Sequence, residues 1–253
     1  TMRMIMGLTR LTRGELLVFG MPVDALKRKD RARIALVPQE NNLDPDLTVR
    51  QNLEVYGRYF RLPGAAIAER VPTLLEFMQL SDKVGHGVNQ LSGGMKRRLV
   101  IARALISDPE LVILDEPTTG LDPQARVLIW QQLLKLKRQG RTLLLTTHNM
   151  DEAQRLCDRI IIIDHGRILD EGAPAELIDR HVKGHVVEVQ KPLPEGFADG
   201  QWEREDIGDA VLYYVEAPRE VTERLPAQAA YLHRPANLED VFLRLTGRQL
   251  RDN

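Results

Sequence analysis

Short apolar runs alternate with helical patterns in the middle of this 253-residue chain, and this alternation constrains its fold more than any other feature. Leu111–Leu114 is an apolar run of strand length. A helix is predicted to begin at Asp122-Pro123 and to end at Gly140. Further apolar strands are predicted at Thr142–Thr147 and Ile160–Ile163. Continuous apolar strands separated by helices are typical of a parallel sheet that is covered on both faces.

The segment before this region has two different patterns. Glu15–Phe19 and Ile34–Val37 are predicted to be short strands, and the charged run Lys27–Arg31 between them is interpreted as a solvated face without a role. Residues Thr48–Ser107 have helical periodicity. The candidate N-cap residues of these helices are Thr48, with Gln51 at capping-box spacing, Ser81 and Ser92.

A looser pattern begins at about residue 180 and predicts a small α+β accessory region, 181–253. Val211–Val215 is a candidate strand, and Asn237 is a candidate N-cap for a last helix, Leu238–Leu245. A loop is predicted where four turn-forming residues follow one another: Pro192, Pro194, Gly196 and Gly200.

The overall composition excludes several classes of protein. With 35 Lys+Arg and 36 Asp+Glu the formal charge is -1, which argues against binding of nucleic acid through a basic surface. One cysteine, Cys157, cannot form an internal disulfide and is interpreted as a small buried side chain. No uncharged apolar run approaches the roughly 18 residues of a membrane span.

Two adjacent acids follow the first apolar strand. Asp115 and Glu116 stand directly after Leu111–Leu114 and before Pro117. The carboxyl ends of parallel strands face the crevice where such sheets bind ligands. One acid could hold Mg²⁺ while its neighbour polarises an attacking water. The alternative is a capping pair that begins a turn.

A serine and two glycines precede a helical pattern upstream of these acids. Ser92 can cap the helix, and Gly93-Gly94 lets the backbone approach an anion at the positive end of the helix dipole. The alternative is an ordinary capped turn. The acids about 20 residues further on favour the functional interpretation.

The signature loop of ABC-transporter ATPases resembles Leu91-Ser92-Gly93-Gly94-Met95, and their Walker B strand resembles the strand that ends in Asp115-Glu116. Further landmarks of that family follow in the same order: Val37-Pro38-Gln39 resembles the Q-loop, Gly120-Leu121-Asp122 the D-loop, and Thr146-Thr147-His148 the switch histidine. The resemblance implies an α/β fold with a P-loop NTPase core, a mostly parallel sheet, a helical subdomain and a small C-terminal α+β appendage. The ATPase domain would be 1–180, with the helical subdomain at about 45–108.

The resemblance also implies roles for these residues, with ATP and Mg²⁺ as cofactors. Asp115 and Gln39 would hold Mg²⁺, and Glu116 would be the general base. Gln39 and His148 would position the water and the γ-phosphate. Two subunits would form a homodimer in which each signature loop, Leu91–Met95, binds the partner's ATP and each D-loop, Gly120–Asp122, crosses the interface.

The C-terminal sequence from Arg234 to Arg248 resembles exporter ATPases of the nodulation-factor and drug-resistance group, and other segments resemble the nodulation branch most. This implies export of a lipo-chitooligosaccharide or similar glycolipid. The partner would be a polytopic permease of the ABC-2 type, with the chain peripheral to the cytoplasmic face of the bacterial inner membrane and no nucleic acid bound. Thr48–Gln79 is expected to carry the groove for the permease; the alternative is a plain hydrophobic core.

The family's phosphate-binding motif, G-x-x-x-x-G-K-[ST], has no counterpart, because the chain contains no Gly-Lys dipeptide. Thr1–Leu8 resembles the stretch just after that motif. We therefore expect a sequence that begins just past Walker A and is not a competent ATPase by itself, whereas its parent is. Losing two charge-assisted hydrogen bonds, at roughly 1.5–3 kcal/mol each, would lower affinity by about 10²- to 10⁴-fold.

The sequence leaves four other functions open. They are a multidrug-type ABC-2 exporter ATPase, a non-transport ABC ATPase acting on ribosomes or DNA, a catalytically silent dimerising product, and a regulatory module in the C-terminal region. Trp130 is interpreted as a packing residue. The remaining histidines share no ligand spacing, so no metal cluster is proposed for them: His86, His165, His181, His185 and His233.

Overall fold

The computed structural model describes residues 2–182, 184–194, 197 and 202–247. The predicted loop residues Gly196 and Gly200, and Arg248 at the end of the C-terminal resemblance, lie outside them. The chain divides into two compact units, Thr1–Thr147 and His148–Asn253.

The described part of the first unit contains six α-helices and five strands. Their bounds are α1 Met2–Ile5, β1 Leu17–Val18, β2 Met21–Pro22, α2 Arg28–Arg31, β3 Ile34–Val37, α3 Val49–Tyr59, α4 Gly64–Phe77, α5 Gly93–Ala104, β4 Leu111–Asp115, α6 Pro123–Arg138 and β5 Thr142–Thr146. Within the described part of the chain, no helix is long and apolar enough to cross a membrane.

A parallel sheet of order β3-β4-β5 is the scaffold of the first unit. The central strand β4 buries its Val112, Ile113 and Leu114 completely, which confirms the apolar strand predicted there. Strand β5 is less covered than expected, since Leu144 remains 37% exposed. Because the strands are parallel and in register, their carboxyl ends lie at one edge of the sheet.

Several helix starts are fixed by side-chain caps, as predicted. Thr48 Oγ1 accepts from Gln51 N at 3.2 Å, and Gln51 Oε1 accepts from Thr48 N at 2.9 Å, which completes a capping box for α3. Ser81 is a correction, because it is the first residue of a 3-10 turn and caps nothing. Such caps satisfy backbone N–H groups that the first helical turn leaves without partners.

The charged run Lys27–Arg31 is not simply a solvated face. Asp30 is buried and its carboxylate accepts from Lys27 N at 3.1 Å. The Arg31 guanidinium donates to the carbonyls of Met6 at 3.0 Å and Val23 at 3.4 Å. The run therefore ties α1 to the segment that follows the β1–β2 hairpin.

The second unit contains four described helices and six strands. Their bounds are α7 Met150–Leu156, β6 Ile160–Asp164, β7 Arg167–Gly172, α8 Pro174–His181, β8 His185–Gln190, β9 Glu203–Asp206, β10 Ala210–Val215, α9 Arg219–Thr222, β11 Tyr231–Pro235 and α10 Leu238–Thr246. The four-stranded sheet is antiparallel, with the order β11-β8-β10-β9.

The apolar run Ile160–Ile163 forms a hairpin and does not join the parallel sheet, which corrects the prediction of a third parallel strand. Strand β6 pairs antiparallel with β7 through the two-residue turn His165-Gly166. Both turn residues have positive φ, at 45° and 74°, as type I′ turns require. Ile161 and Ile163 are exposed, so only one face of the hairpin is buried.

A single apolar core spans the predicted domain boundary at residue 180. Ala153 and Leu177, which precede that boundary, share this core with Val186, Leu212 and Val241, which follow it. The compact unit consequently begins at His148, ahead of the predicted accessory region. The strand predicted at Val211–Val215 and the helix cap predicted at Asn237 are both confirmed.

Candidate nucleotide site

Asp115 is the last residue of β4 and lies beside the last residue of β5. In the parallel register Asp115 pairs with Thr146. The Thr146 hydroxyl donates to Asp115 Oδ1 at 2.6 Å, which fixes the orientation of the carboxylate. Asp115 is half-buried, so its carboxylate reaches the edge of the sheet.

Glu116 has left-handed backbone geometry, with φ of 47°. For a non-glycine residue this conformation costs roughly 1–2 kcal/mol. Its N–H donates to the Thr146 carbonyl at 3.1 Å, and the Thr119 hydroxyl donates to Glu116 Oε2 at 2.8 Å. Strained residues held by their surroundings occur often at functional sites, and here the strain turns the chain directly after the strand.

Gln39 lies at the same edge of the sheet. Strand β3 ends at Val37, which pairs with Leu114 of β4, so Gln39 follows the strand end by two residues. Its side chain is exposed. The structure therefore brings Gln39, Asp115 and Glu116 to neighbouring strand ends, as parallel pairing predicts.

The signature segment begins α5. Ser92 is the N-cap, and its hydroxyl accepts from Met95 N at 3.3 Å, as predicted. Ser92 and Gly93 are exposed, whereas Leu91 is buried. The start of α5 at Ser92 and Gly93 therefore lies at the surface, and a helix N-terminus of this kind could bind an anion.

The two glycines of this segment have different structural reasons. A Cβ built on Gly94 would lie 2.7 Å from Ala125 Cβ, so α5 approaches α6 too closely for any side chain at that position. A Cβ built on Gly93 would meet no atom within 4 Å. Packing therefore explains Gly94, whereas Gly93 has open space in front of it.

The predicted D-loop connects β4 to α6. Gly120 has φ of 74°, a conformation that glycine adopts readily, and Leu121 N donates to the Thr118 carbonyl at 3.3 Å. Asp122 is the N-cap of α6, and its Oδ1 accepts from Ala125 N at 2.9 Å. The Asp122 carboxylate thus has a local structural role.

His148 follows β5 in the sequence and is the first residue of the second unit. It is exposed. A cavity of about 240 Å³ in this unit is lined by seven residues: His148, Asn149, Met150, Asp151, Gln154, Asn237 and Glu239. The structure therefore places His148 beside the N-termini of α7 and α10, which begin at the caps Asn149 and Asn237.

Sequence reasoning missed several residues that organise this site. Thr119 and Thr146 orient the two acids, and Arg97 contacts the backbone around them. A hydroxyl three residues after Glu116 was the available signal for Thr119, whereas Thr146 is 31 residues from Asp115 and gave no such signal. Cys157 is half-buried, which corrects the expectation of a buried side chain. Trp130 is buried, as expected.

Two family profiles match this chain. The profile described as "ABC transporter" matches residues 1–119, and the one described as "Nodulation factor export protein NodI, C-terminal domain" matches residues 199–247. The second match falls within the region predicted to be accessory.

Similar proteins extend over the whole chain. "Nod factor export ATP-binding protein I" of Cupriavidus metallidurans is 50% identical over 258 residues, which cover 100% of this chain and 85% of that protein. The protein of the same name from Burkholderia pseudomallei has the same identity and coverage.

Solved structures share the fold. The cbiO1 protein from Clostridium perfringens, described as part of the ABC transporter complex cbiONQ, has a TM-score of 0.65 at 28% identity, covering 70% of this chain and 73% of that one. A dimeric ATP-binding cassette in a post-hydrolysis state, bound to ADP and Pi, has a TM-score of 0.60 at 30% identity, covering 68% and 78%.

Proposed function

This chain belongs to the ABC-transporter ATP-binding protein family, in the group of Nod factor export ATP-binding proteins, and we propose that it is the ATP-hydrolysing subunit of an exporter of glycolipids. Its fold is that of an ABC-type ATPase, with a parallel sheet, helices and a C-terminal antiparallel sheet. The cargo proposal derives from the printed names of the relatives and from the match to their C-terminal domain.

One observation carries the catalytic part of the proposal. Asp115 and Glu116 stand at the carboxyl end of the central strand, and two threonine hydroxyls fix their carboxylates. Phosphoryl transfer depends mainly on positioning and on neutralising charge. A pair of acids held in this way is suited to both tasks.

The donor atoms at this edge fit Mg²⁺. Magnesium prefers oxygen ligands, and it binds through one or two carboxylates together with substrate phosphates. Asp115 supplies a carboxylate, and Gln39 supplies an amide oxygen at the neighbouring strand end. When bound, Mg²⁺ would neutralise charge on the phosphates.

For the other residues we propose the roles that the family resemblance implies. Glu116 would accept the proton of the attacking water, with Thr119 holding its carboxylate. Gln39 and His148 would orient that water and the γ-phosphate. The exposed turn at Ser92-Gly93 would bind the γ-phosphate of ATP held by a partner subunit, through its backbone N–H groups.

A homodimer is supported by the dimeric state of a solved relative. We further propose a polytopic permease of the ABC-2 type as membrane partner, and a peripheral location at the cytoplasmic face of the inner membrane. A multidrug-type exporter ATPase is the second candidate. Co-purification with a permease supports transport, whereas co-sedimentation with ribosomes contradicts it.

Glu116→Gln tests the catalytic assignment, and Glu110→Gln is its matched control. Glu110 precedes the same strand at its other end, where its carboxylate pairs with Arg33 at 2.6 Å. We expect Glu116→Gln to lower Mg-ATP turnover by about 100-fold or more, the usual contribution of a general base. Glu110→Gln should leave turnover within about twofold, because Glu110 lies at the end of β4 opposite to the two acids.

The assay uses this chain and a chain extended upstream with a phosphate-binding motif. Equilibrium Mg-ATP binding is measured beside turnover. Turnover by the extended chain that survives Glu116→Gln would contradict the assignment. Binding that only the extended chain shows would assign the phosphate-binding residues to the added segment, whereas comparable binding by both would place them in this sequence.

A further inference from the structure

Arg97 is a buried arginine in the second turn of α5. Its residue exposure is 4%, and its guanidinium donates to five backbone carbonyls. Nε donates to Pro117 at 2.7 Å, Nη2 donates to Asp115 at 3.0 Å and Glu116 at 3.2 Å, and Nη1 donates to Gln39 at 3.1 Å and to Pro38.

These carbonyls belong to the two chain segments that carry the proposed catalytic groups. Three of them belong to the turn at Asp115, Glu116 and Pro117, and two belong to the segment after β3 that contains Gln39. The guanidinium is a planar fork of donors with fixed geometry, so it sets the distance between the segments that it bridges.

Arg97 also joins these segments to the signature turn. It lies five residues after Ser92 on one helix, which corresponds to about 7.5 Å along the axis at 1.5 Å per residue. A hydrogen-bonded helix moves as one piece over this distance. A displacement of the signature turn would therefore be transmitted through Arg97 to the backbone of Glu116.

The backbone that Arg97 holds is the strained part of the site. Glu116 has φ of 47°, a conformation that persists only where its surroundings impose it. Arg97 donates hydrogen bonds to the carbonyl of this residue and to the carbonyls of both its neighbours.

We propose that Arg97 is a positioning residue that couples the signature turn of a subunit to the acids and Gln39 of the same subunit. The signature turn of one subunit would bind ATP held by the partner subunit. This binding is then transmitted through Arg97 to Glu116 of the first subunit, the general base of the other ATP site. This inference rests on the proposed function, since it requires that Glu116 act in hydrolysis.

Arg97→Lys and Arg97→Met test the coupling, and Arg98→Met is the matched control. Lysine keeps the charge but loses the fork, and methionine keeps the bulk without donors. Arg98 is the next residue of the same helix and donates to the carbonyls of Met78 at 2.8 Å and Gln79 at 3.0 Å, away from the acids. The variants are made in this chain and in its upstream-extended form.

Hydrogen exchange is the first measurement, because it requires no turnover. Both Arg97 variants should exchange at least tenfold faster at residues 37–40 and 114–118, whereas Arg98→Met should change only residues near 78–80. Unchanged exchange at 37–40 and 114–118 in a folded Arg97→Lys chain overturns the proposal. If Arg97→Met does not fold, Arg97→Lys gives the answer.

Steady-state kinetics of the extended chain are the second measurement. We expect Arg97→Lys to lower kcat at least tenfold while KM for Mg-ATP stays within twofold, and to lower the Hill coefficient towards 1. A lower melting temperature with unchanged kcat and Hill coefficient would overturn the proposal, because it indicates a structural role only. Wild-type turnover that Glu116→Gln does not reduce would instead refute the proposed function itself.

Discussion

Gly93 and Gly94 are adjacent, and the structure predicts opposite effects on stability when each is changed to alanine. A methyl group at position 94 would lie 2.7 Å from Ala125 Cβ, whereas carbon atoms in contact are normally about 3.5–4.0 Å apart. Overpacking of this kind costs roughly 1–3 kcal/mol. The gain in helix propensity from Gly to Ala is at most about 1 kcal/mol and is common to both positions.

We therefore expect Gly93→Ala to be neutral or up to about 1 kcal/mol stabilising, and Gly94→Ala to be roughly 1–3 kcal/mol less stable than Gly93→Ala. Urea denaturation measures this difference directly, provided that both variants have the same m-value. Equal stabilities, or a less stable Gly93→Ala, would refute the packing argument.

The same pair separates stability from function. A methyl group at position 93 would occupy the open space in front of the first turn of α5, where we propose that the partner's phosphate binds. Gly93→Ala in the extended chain should therefore lose Mg-ATP turnover at least tenfold, about 1.4 kcal/mol, while its stability is kept. Full turnover in this variant would contradict a phosphate site at the signature turn.

Two further predictions concern local interactions. Asp122→Ala removes the cap of α6 and should destabilise the chain by about 1 kcal/mol in urea denaturation, while exposed Gln124→Ala serves as the control with no loss. Hydrogen bonds from His181 and then Arg180 lower the pKa of Asp170 to about 2. The ionised carboxylate therefore stabilises the fold above its ordinary pKa, and that contribution is lost as pH falls through about 2. NMR titration should show this midpoint in the wild type and a higher one in His181→Ala; the same midpoint in both would contradict the assignment of cause.

Features that depend on neighbours in the sequence could be predicted from it. The caps Thr48, Ser92, Asp122 and Asn237 each bond to a backbone N–H within three residues, so their spacing alone carries the signal. Strand β4 could be predicted because its residues are buried on both faces and read as a continuous apolar run.

Features that depend on distant contacts could not be predicted. Ile160–Ile163 has the composition of a buried parallel strand, but the turn His165-Gly166 returns the chain as an antiparallel hairpin. A positive φ is uncommon for a residue other than glycine, so His165 gave no clear indication of this turn in the sequence. Likewise, the carbonyl partners of Arg97 are 18 to 59 residues away, so a basic run after the signature turn gave no indication of them.

The candidate site combines local strain with several supports from different elements. The left-handed conformation of Glu116 costs roughly 1–2 kcal/mol, and each supporting hydrogen bond contributes about 0.5–1.5 kcal/mol net. The Thr146 carbonyl of β5 accepts from this residue, and Thr119 of the following loop donates to it through its N–H and its hydroxyl. Loss of one such bond would weaken the geometry without abolishing it. Arg97 differs because it holds three consecutive carbonyls through one side chain, so its loss removes enough support at once for the strained turn to relax.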